Sequence, residues 1–182
     1  PLPVAGGPGS QPAPFDPRKA PVWQTLLAEY ERELAAIGEV PAAATLHYES
    51  GRIWEEKLAQ PRNAWQAYNR AFQLQPALLP NIRAARRLAS QVGNWNVCVQ
   101  IIDSEVEAIS DPTHKAHLLH SKGLVLEEKL GQLEEAKAAY EAALSLAPTN
   151  LELLSQVERL AITTNDWQKV LEVRAQTLAQ VS

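Results

Sequence analysis

The stretch WEEKLAQPRNAWQAY, beginning at Trp54, returns as LEEKLGQLEEAKAAY at Leu126, 72 residues further on. The same step pairs Gly51 with Gly123, Ala64 with Ala136, Tyr68 with Tyr140, Ala71 with Ala143 and Pro76 with Pro148. The intervening sequence repeats more loosely, RLASQVGNW at Arg87 against RLAITTNDW at Arg159. Trp23, Trp95 and Trp167 form a ladder at the same spacing. Self-similarity at a fixed period restricts the fold more than composition does, because each unit has to stack on a version of itself.

Each unit reads as helix. In residues 41–59 the apolar Leu46, Ile53, Trp54 and Leu58 and the small Ala43, Ala44, Ser50 and Gly51 share a face of helical period. Pro61 and Arg62 interrupt this pattern, and a second stripe follows with Ala64, Ala67, Tyr68, Ala71, Phe72 and Leu74. Pro76 stops it, since proline lacks the N–H a helix needs. The β-branched alternation that predicts strands is missing. Asp111-Pro112, Asn150 and Asn165 stand where helix caps are wanted. The reading is two helix pairs, of about 35 residues each, per step.

These residues resemble the tetratricopeptide repeat. Its pattern places a small residue mid-way along the first helix (Gly51, Gly123) and a large one three later (Trp54, Leu126). Early in the second helix comes an alanine (Ala64, Ala136), then Tyr68 and Tyr140, Ala71 and Ala143, and a closing Pro76 and Pro148. Two units depart from it: Arg86 and Glu158 stand where the small residue is usual, and Cys98 and Val170 replace the alanine. The resemblance implies an all-α fold, a right-handed α-solenoid of stacked antiparallel helix pairs. On this reading residues 1–21 are a Pro/Gly-rich extended tail or linker and 22–182 the solenoid. The solenoid divides into a leading helix over 22–38 and hairpins over about 41–76, 79–109, 112–148 and 151–181. At the far end Val170, Leu171, Leu178 and Val181 would pack under a next helix. The absence of methionine and the start at Pro1 are read as signs of an excised piece of a longer, bacterial-type array.

Composition narrows the function classes. A net charge of −4 and a pI near 5.6 argue against nucleic acid as partner. No run of 18 apolar residues is present to span a membrane. With no targeting signal in view, a cytoplasmic setting is weakly favoured. The single cysteine, Cys98, excludes an internal disulfide. His114, His117 and His120 recur at three-residue steps, but no cysteine or carboxylate completes a tight site, so no metal is expected. The two EEKL runs read as a solvated helix face with local ion pairs. No nucleophile–base pair or phosphate loop is recognisable, so the expectation is a non-enzymatic protein without cofactor.

The resemblance also implies where a partner would bind. In tetratricopeptide proteins the first helices line a concave groove that holds a peptide. The inward positions carried over are Tyr48, Arg52 and Glu55; Arg83 and Arg87; His117, His120 and Glu127; and Ser155 and Arg159. This set is richer in cations than the acidic whole. Arginine suits carboxylates because its planar fork donates two hydrogen bonds at once. The expected guest is a protein or peptide segment with acidic and apolar residues, or the chain's own tail. The tail (residues 1–21) holds seven prolines and three glycines, with Leu2, Val4 and Phe15 as apolar handles. Two other readings compete: that the arginines pair within the chain, and that the array is a spacer whose terminal helices self-associate.

Overall fold

The structure, a computed structural model, describes residues 17–181. Residues 1–16, where most of the expected tail and its docking handles fall, lie outside the described residues. Among the described residues nine α-helices follow one another: α1 Ala20–Ile37, α2 Ala44–Arg52, α3 Pro61–Leu74, α4 Leu79–Gln91, α5 Trp95–Ala108, α6 Pro112–Glu128, α7 Leu133–Leu146, α8 Leu151–Thr163 and α9 Trp167–Val181. Among the described residues there is no strand, and no helix is long and apolar enough to cross a membrane. The helices are stacked antiparallel pairs of the solenoid type. They divide into two compact units, residues 1–81 and 82–182, with the division inside α4.

Helix α1 begins earlier than the proline content suggests. A 3₁₀ turn, Pro17–Lys19, leads into it, and Pro21 sits in its first turn, where a missing N–H costs nothing. In this unit α2 continues into a π-turn, Ile53–Lys57, and packs against α3. Leu27, Ile53 and Leu58 form a small core with Trp23, Leu26, Tyr30 and Trp54 packed on it.

The larger unit is built on α6 and α7, which pack directly against each other. Leu126, Ala136, Tyr140, Ala143, Leu153, Leu154, Val157, Leu160 and Val173 make one buried cluster drawn from α6 to α9. The glycine explains the close approach. A Cβ on Gly123 would overlap the ring of Tyr140, and one on Gly51 the ring of Tyr68; both tyrosines are fully buried. The echo in the sequence is therefore a ring-in-slot contact built twice.

Caps fall partly as expected. Asp111 accepts from the backbone N–H of Thr113 and His114, and Asn150 from those of Glu152 and Leu153. Asn165 does not cap α9. It is a left-handed residue, φ 59°, that turns the chain out of α8, and Asp166 does the capping through a 3.1 Å bond from Lys169 N–H. The backbone N–H and Lys137 together hold the Asp166 carboxyl below its ordinary range.

Candidate functional site

The repeated core fixes the same set of polar side chains once in each unit. Tyr68 donates its hydroxyl proton to Glu55 Oε2 at 2.8 Å, and Tyr140 does the same to Glu127 Oε2 at 3.1 Å. The ring of Tyr48 lies 6.0 Å from that of Tyr68, and at the same register His120 lies 5.6 Å from Tyr140. Arg159 of α8 then closes on Glu127, Nη1 to Oε1 at 2.7 Å and Nη2 to Oε2 at 2.8 Å. The Arg159 guanidinium, with help from the Tyr140 hydroxyl, holds the Glu127 carboxyl below its ordinary range. Burial and the adjacent carboxylate push the Tyr140 hydroxyl well up, so it remains a donor at every physiological pH.

Most of the arginines singled out from the sequence are paired inside the chain. Arg52 bonds Glu56 at 3.3 Å and Glu49 at 3.4 Å, and the Glu56 bond raises its already high basicity. Arg83 Nε donates to Glu105 Oε1 at 3.2 Å. His117 and Ser155 are exposed on α6 and α8. Among the described residues no three metal-ligating side chains converge, the three histidines of α6 included.

Sequence reasoning missed Glu105. It sits on α5, fully buried, with Arg83 on one oxygen and Arg86 Nε 3.3 Å from the other. A buried carboxylate is tolerable only when it is paired, and here two guanidinium groups share it. The departures from the repeat pattern explain its presence. Arg86 stands where glycine is usual, so the tyrosine ring has no slot; Ile102 takes the ring's register, and Glu105 takes that of Ala143. The α8–α9 pair does the reverse: Glu158 stands in the glycine's place and accepts a 2.6 Å bond from Arg174 Nε. Two hairpins are thus joined by a glycine and a ring, and two by a clasp of opposite charges.

The clasped α4–α5 pair leaves a cleft of about 280 Å³, lined by Arg83, Arg86, Arg87 and Ser90 of α4, Trp95, Cys98 and Ile102 of α5, and Ser121 and Val125 of α6. Helices α4 and α6 form its walls and α5 its floor. Of the sequence-derived residues, Arg83 and Arg87 lie here together; the others do not. The side chain of Arg83 is 52% exposed, and its bond to Glu105 uses only one of the five guanidinium N–H groups. The floor is apolar, and burial pushes the Cys98 thiol up despite nearby Arg86. A second cleft, of about 380 Å³, lies in the first unit among His47, Ser50, Trp54, Asn63 and Arg70, and contains none of the sequence-derived residues.

Comparison with known proteins agrees with this geometry. A tetratricopeptide repeat family model matches residues 116–150, which hold Gly123 and Tyr140. No curated protein sequence matches the chain. Among solved structures, a crystal structure of MamA is 13% identical, with a TM-score of 0.51 over 90% of this chain and 91% of that one. YrrB, described as a TPR protein with an unusual peptide-binding site, is 15% identical, with a TM-score of 0.51 over 83% and 74%. The N-terminal domain of stress-induced protein-1 (STI-1) from C. elegans is 20% identical, with a TM-score of 0.52 over 66% and 95%. At such identities the likenesses establish a shared fold. Residues 116–150 thus match a tetratricopeptide repeat, and the fold of these solved structures runs along most of the chain.

Proposed function

We propose that this chain is a non-enzymatic protein–protein interaction module that holds an acidic, partly apolar segment of a partner in the cleft between α4 and α6. The observation that carries the reading is the pairing of Arg83 and Arg86 with a single buried carboxylate over an apolar floor. Two guanidinium groups on one Glu105 keep a positive surplus, and the half-exposed Arg83 has donors to spare for a guest carboxylate. Trp95 and Ile102 beside them suit an apolar neighbour of that carboxylate. YrrB, which shares the fold, is described as having a peptide-binding site, and this supports a peptide as guest.

The test is capture of peptides of mixed Glu and Leu composition by the intact chain and by an Arg83→Glu, Arg87→Glu variant. Capture should be lost in the variant while its helical circular dichroism and Tm stay near those of the parent. Unchanged capture would end the cleft reading. Deleting residues 1–16 separates an external guest from the chain's own tail, because a tail that occupied the cleft would make the truncated chain bind peptide more tightly.

A second reading has its own support. Arg52 and Arg159 are pinned within the chain, and large apolar side chains, Trp167 and Leu171, stand exposed on α9. This arrangement suits a spacer in a repeat array that makes its contacts through end helices.

A further inference from the structure

The 72-residue step sets the second cleft, in the first unit, against a filled place in the other unit. There Lys122 of α6 donates from Nζ to Asp103 Oδ1 of α5 at 2.6 Å, and its side chain is only 22% exposed. In the first unit the aspartate's register holds Glu31 of α1, and the lysine's holds Ser50 of α2. The carboxylate is kept and its cation is gone. Among the described residues nothing pairs with Glu31. Exchange of a lysine stem for a serine leaves room here, a cleft of about 380 Å³ walled by α1 and α3 with α2 beneath.

Acceptors meet in this cleft. Ser50 donates its hydroxyl proton to Leu46 O at 2.8 Å, so it faces a guest with lone pairs only. Burial pushes the His47 imidazole down, so near neutral pH one ring nitrogen is an acceptor. With the Glu31 carboxylate they make three acceptors, the number an ammonium group can satisfy. Arg70 on the rim does not neutralise Glu31, because Glu39 and Gln73 hold it. Leu27, Leu34 and Ala67 give apolar walls for an aliphatic stem. Trp54, in the register of Leu126, adds an aromatic face of the kind that attracts an ammonium.

We infer that this cleft binds the lysine side chain of a partner protein, its ammonium on Glu31, His47 and Ser50 and its stem between α1 and α3. The guest's chemistry is given by the second copy, where a lysine already meets the same carboxylate register. Gln66 on the α3 wall has an unengaged amide for the guest's backbone, which favours a lysine within a chain over a free amine. Residues 1–16 hold no lysine, so the chain's own tail cannot supply it. This site is independent of the arginine cleft and opposite to it in charge preference.

The experiment titrates acetyl-Leu-Lys-Leu-amide into the intact chain, with its tryptophan indoles labelled with ¹⁵N. The Trp54 indole resonance should move and saturate while that of Trp95, in the arginine cleft, stays in place. The same peptide acetylated on the lysine Nζ keeps the stem and loses the charge, and should bind at least about ten-fold more weakly. Glu31→Gln should weaken the unmodified peptide by a similar factor with Tm near the parent's, because Glu31 has no partner in the fold to lose. Ser50→Lys, which copies Lys122, should fill the cleft and abolish binding; if that chain fails to fold, Glu31→Gln decides alone. The Arg83→Glu, Arg87→Glu chain should bind the lysine peptide as the parent does, which separates this result from failure of the arginine-cleft reading. The inference is overturned if Trp54 does not respond, or if the acetylated peptide or the Glu31→Gln chain binds as tightly as the originals. It is overturned equally if n-butylammonium displaces the peptide at matched concentration, since the site would then be one for free amines.

Discussion

Within one unit, α4–α5 and α6–α7 solve the same packing problem by different chemistry. In α6–α7 the axes close to the point where only glycine fits, and the ring of Tyr140 fills the slot. Its hydroxyl is spent on Glu127 and that carboxylate on Arg159, so these two groups are satisfied internally. In α4–α5 an arginine occupies the glycine's register, a shorter Ile102 makes room, and Glu105 supplies the countercharge. The first solution is closed. The second leaves a cleft with unspent donors at its edge. Of these two hairpins, the one that departs from the pattern is the one with an open cleft.

The sharpest way to break this contrast is Glu105→Ala. It strips the shared countercharge from two arginines and leaves a void, and losing one partner of a buried pair costs about 3–5 kcal/mol. Urea unfolding should show that loss, and the surviving chain should bind acidic peptide more tightly because Arg83 is released. A loss below about 1 kcal/mol would mean that the clasp is ornamental. Gly123→Ala attacks the other solution. A methyl group there meets the Tyr140 ring, and overpacking of this kind costs about 1–3 kcal/mol. Gly51→Ala should behave alike, since Tyr68 closes on it in the same way.

What was legible in the sequence follows the same division. Helix pairs, their period and the tetratricopeptide fold could be read because glycine, tyrosine, alanine and proline recur at fixed registers, and each has one physical role there. The clasp could not be read. Glu105 lies in IIDSEVEAI, where nothing separates it from the exposed Glu107, and its burial depends on arginines 19 and 22 positions away on another helix. The ten residues carried over to the expected groove sit on the first-type helices, but Glu55 and Glu127 are claimed by tyrosines at a distance that periodicity alone does not encode. The lysines of the EEKL runs read as solvent-facing because the indoles they cover, Trp23 under Lys57 and Trp95 under Lys129, belong to the preceding helix pair.

Acid should separate the two hairpins further. The Glu127 carboxyl is held below its ordinary range in the fold, so the folded state releases that proton more readily than the unfolded chain. Its contribution is complete above the unfolded value, about 4.5, and is lost as pH falls through the lower folded value. Glu127→Gln should cost about 1–2 kcal/mol at neutral pH, the range of a charge-assisted hydrogen bond to a half-exposed arginine. The gap between parent and variant should narrow only below about pH 4.5. A gap that is constant from pH 7 to pH 3 would show that packing, and not the Arg159 pair, sets the role of this residue.

The smallest effect tests the turns that join the helices of each pair. Gly93 and Gly131 take left-handed backbone, φ 72° and 67°, and at the matching positions stand Asn165 at 59° and Ala59 at 53°. Asparagine tolerates this region through its short polar side chain, whereas alanine crowds its Cβ against the following carbonyl, at about 1 kcal/mol. Ala59 is exposed, so replacing it disturbs no packing. Ala59→Gly relieves that crowding but also frees the unfolded chain, which offsets part of the gain. The net expectation is stabilisation by about 0.5 kcal/mol, with Gly131→Ala losing about 1 kcal/mol at the equivalent turn. Opposite signs at two positions 72 residues apart would show that the turn geometry, and not the local sequence, is what the repeat preserves. Equal signs would place the difference in the flanking helix ends, where α2 closes through a π-turn and α6 remains α-helical to Glu128.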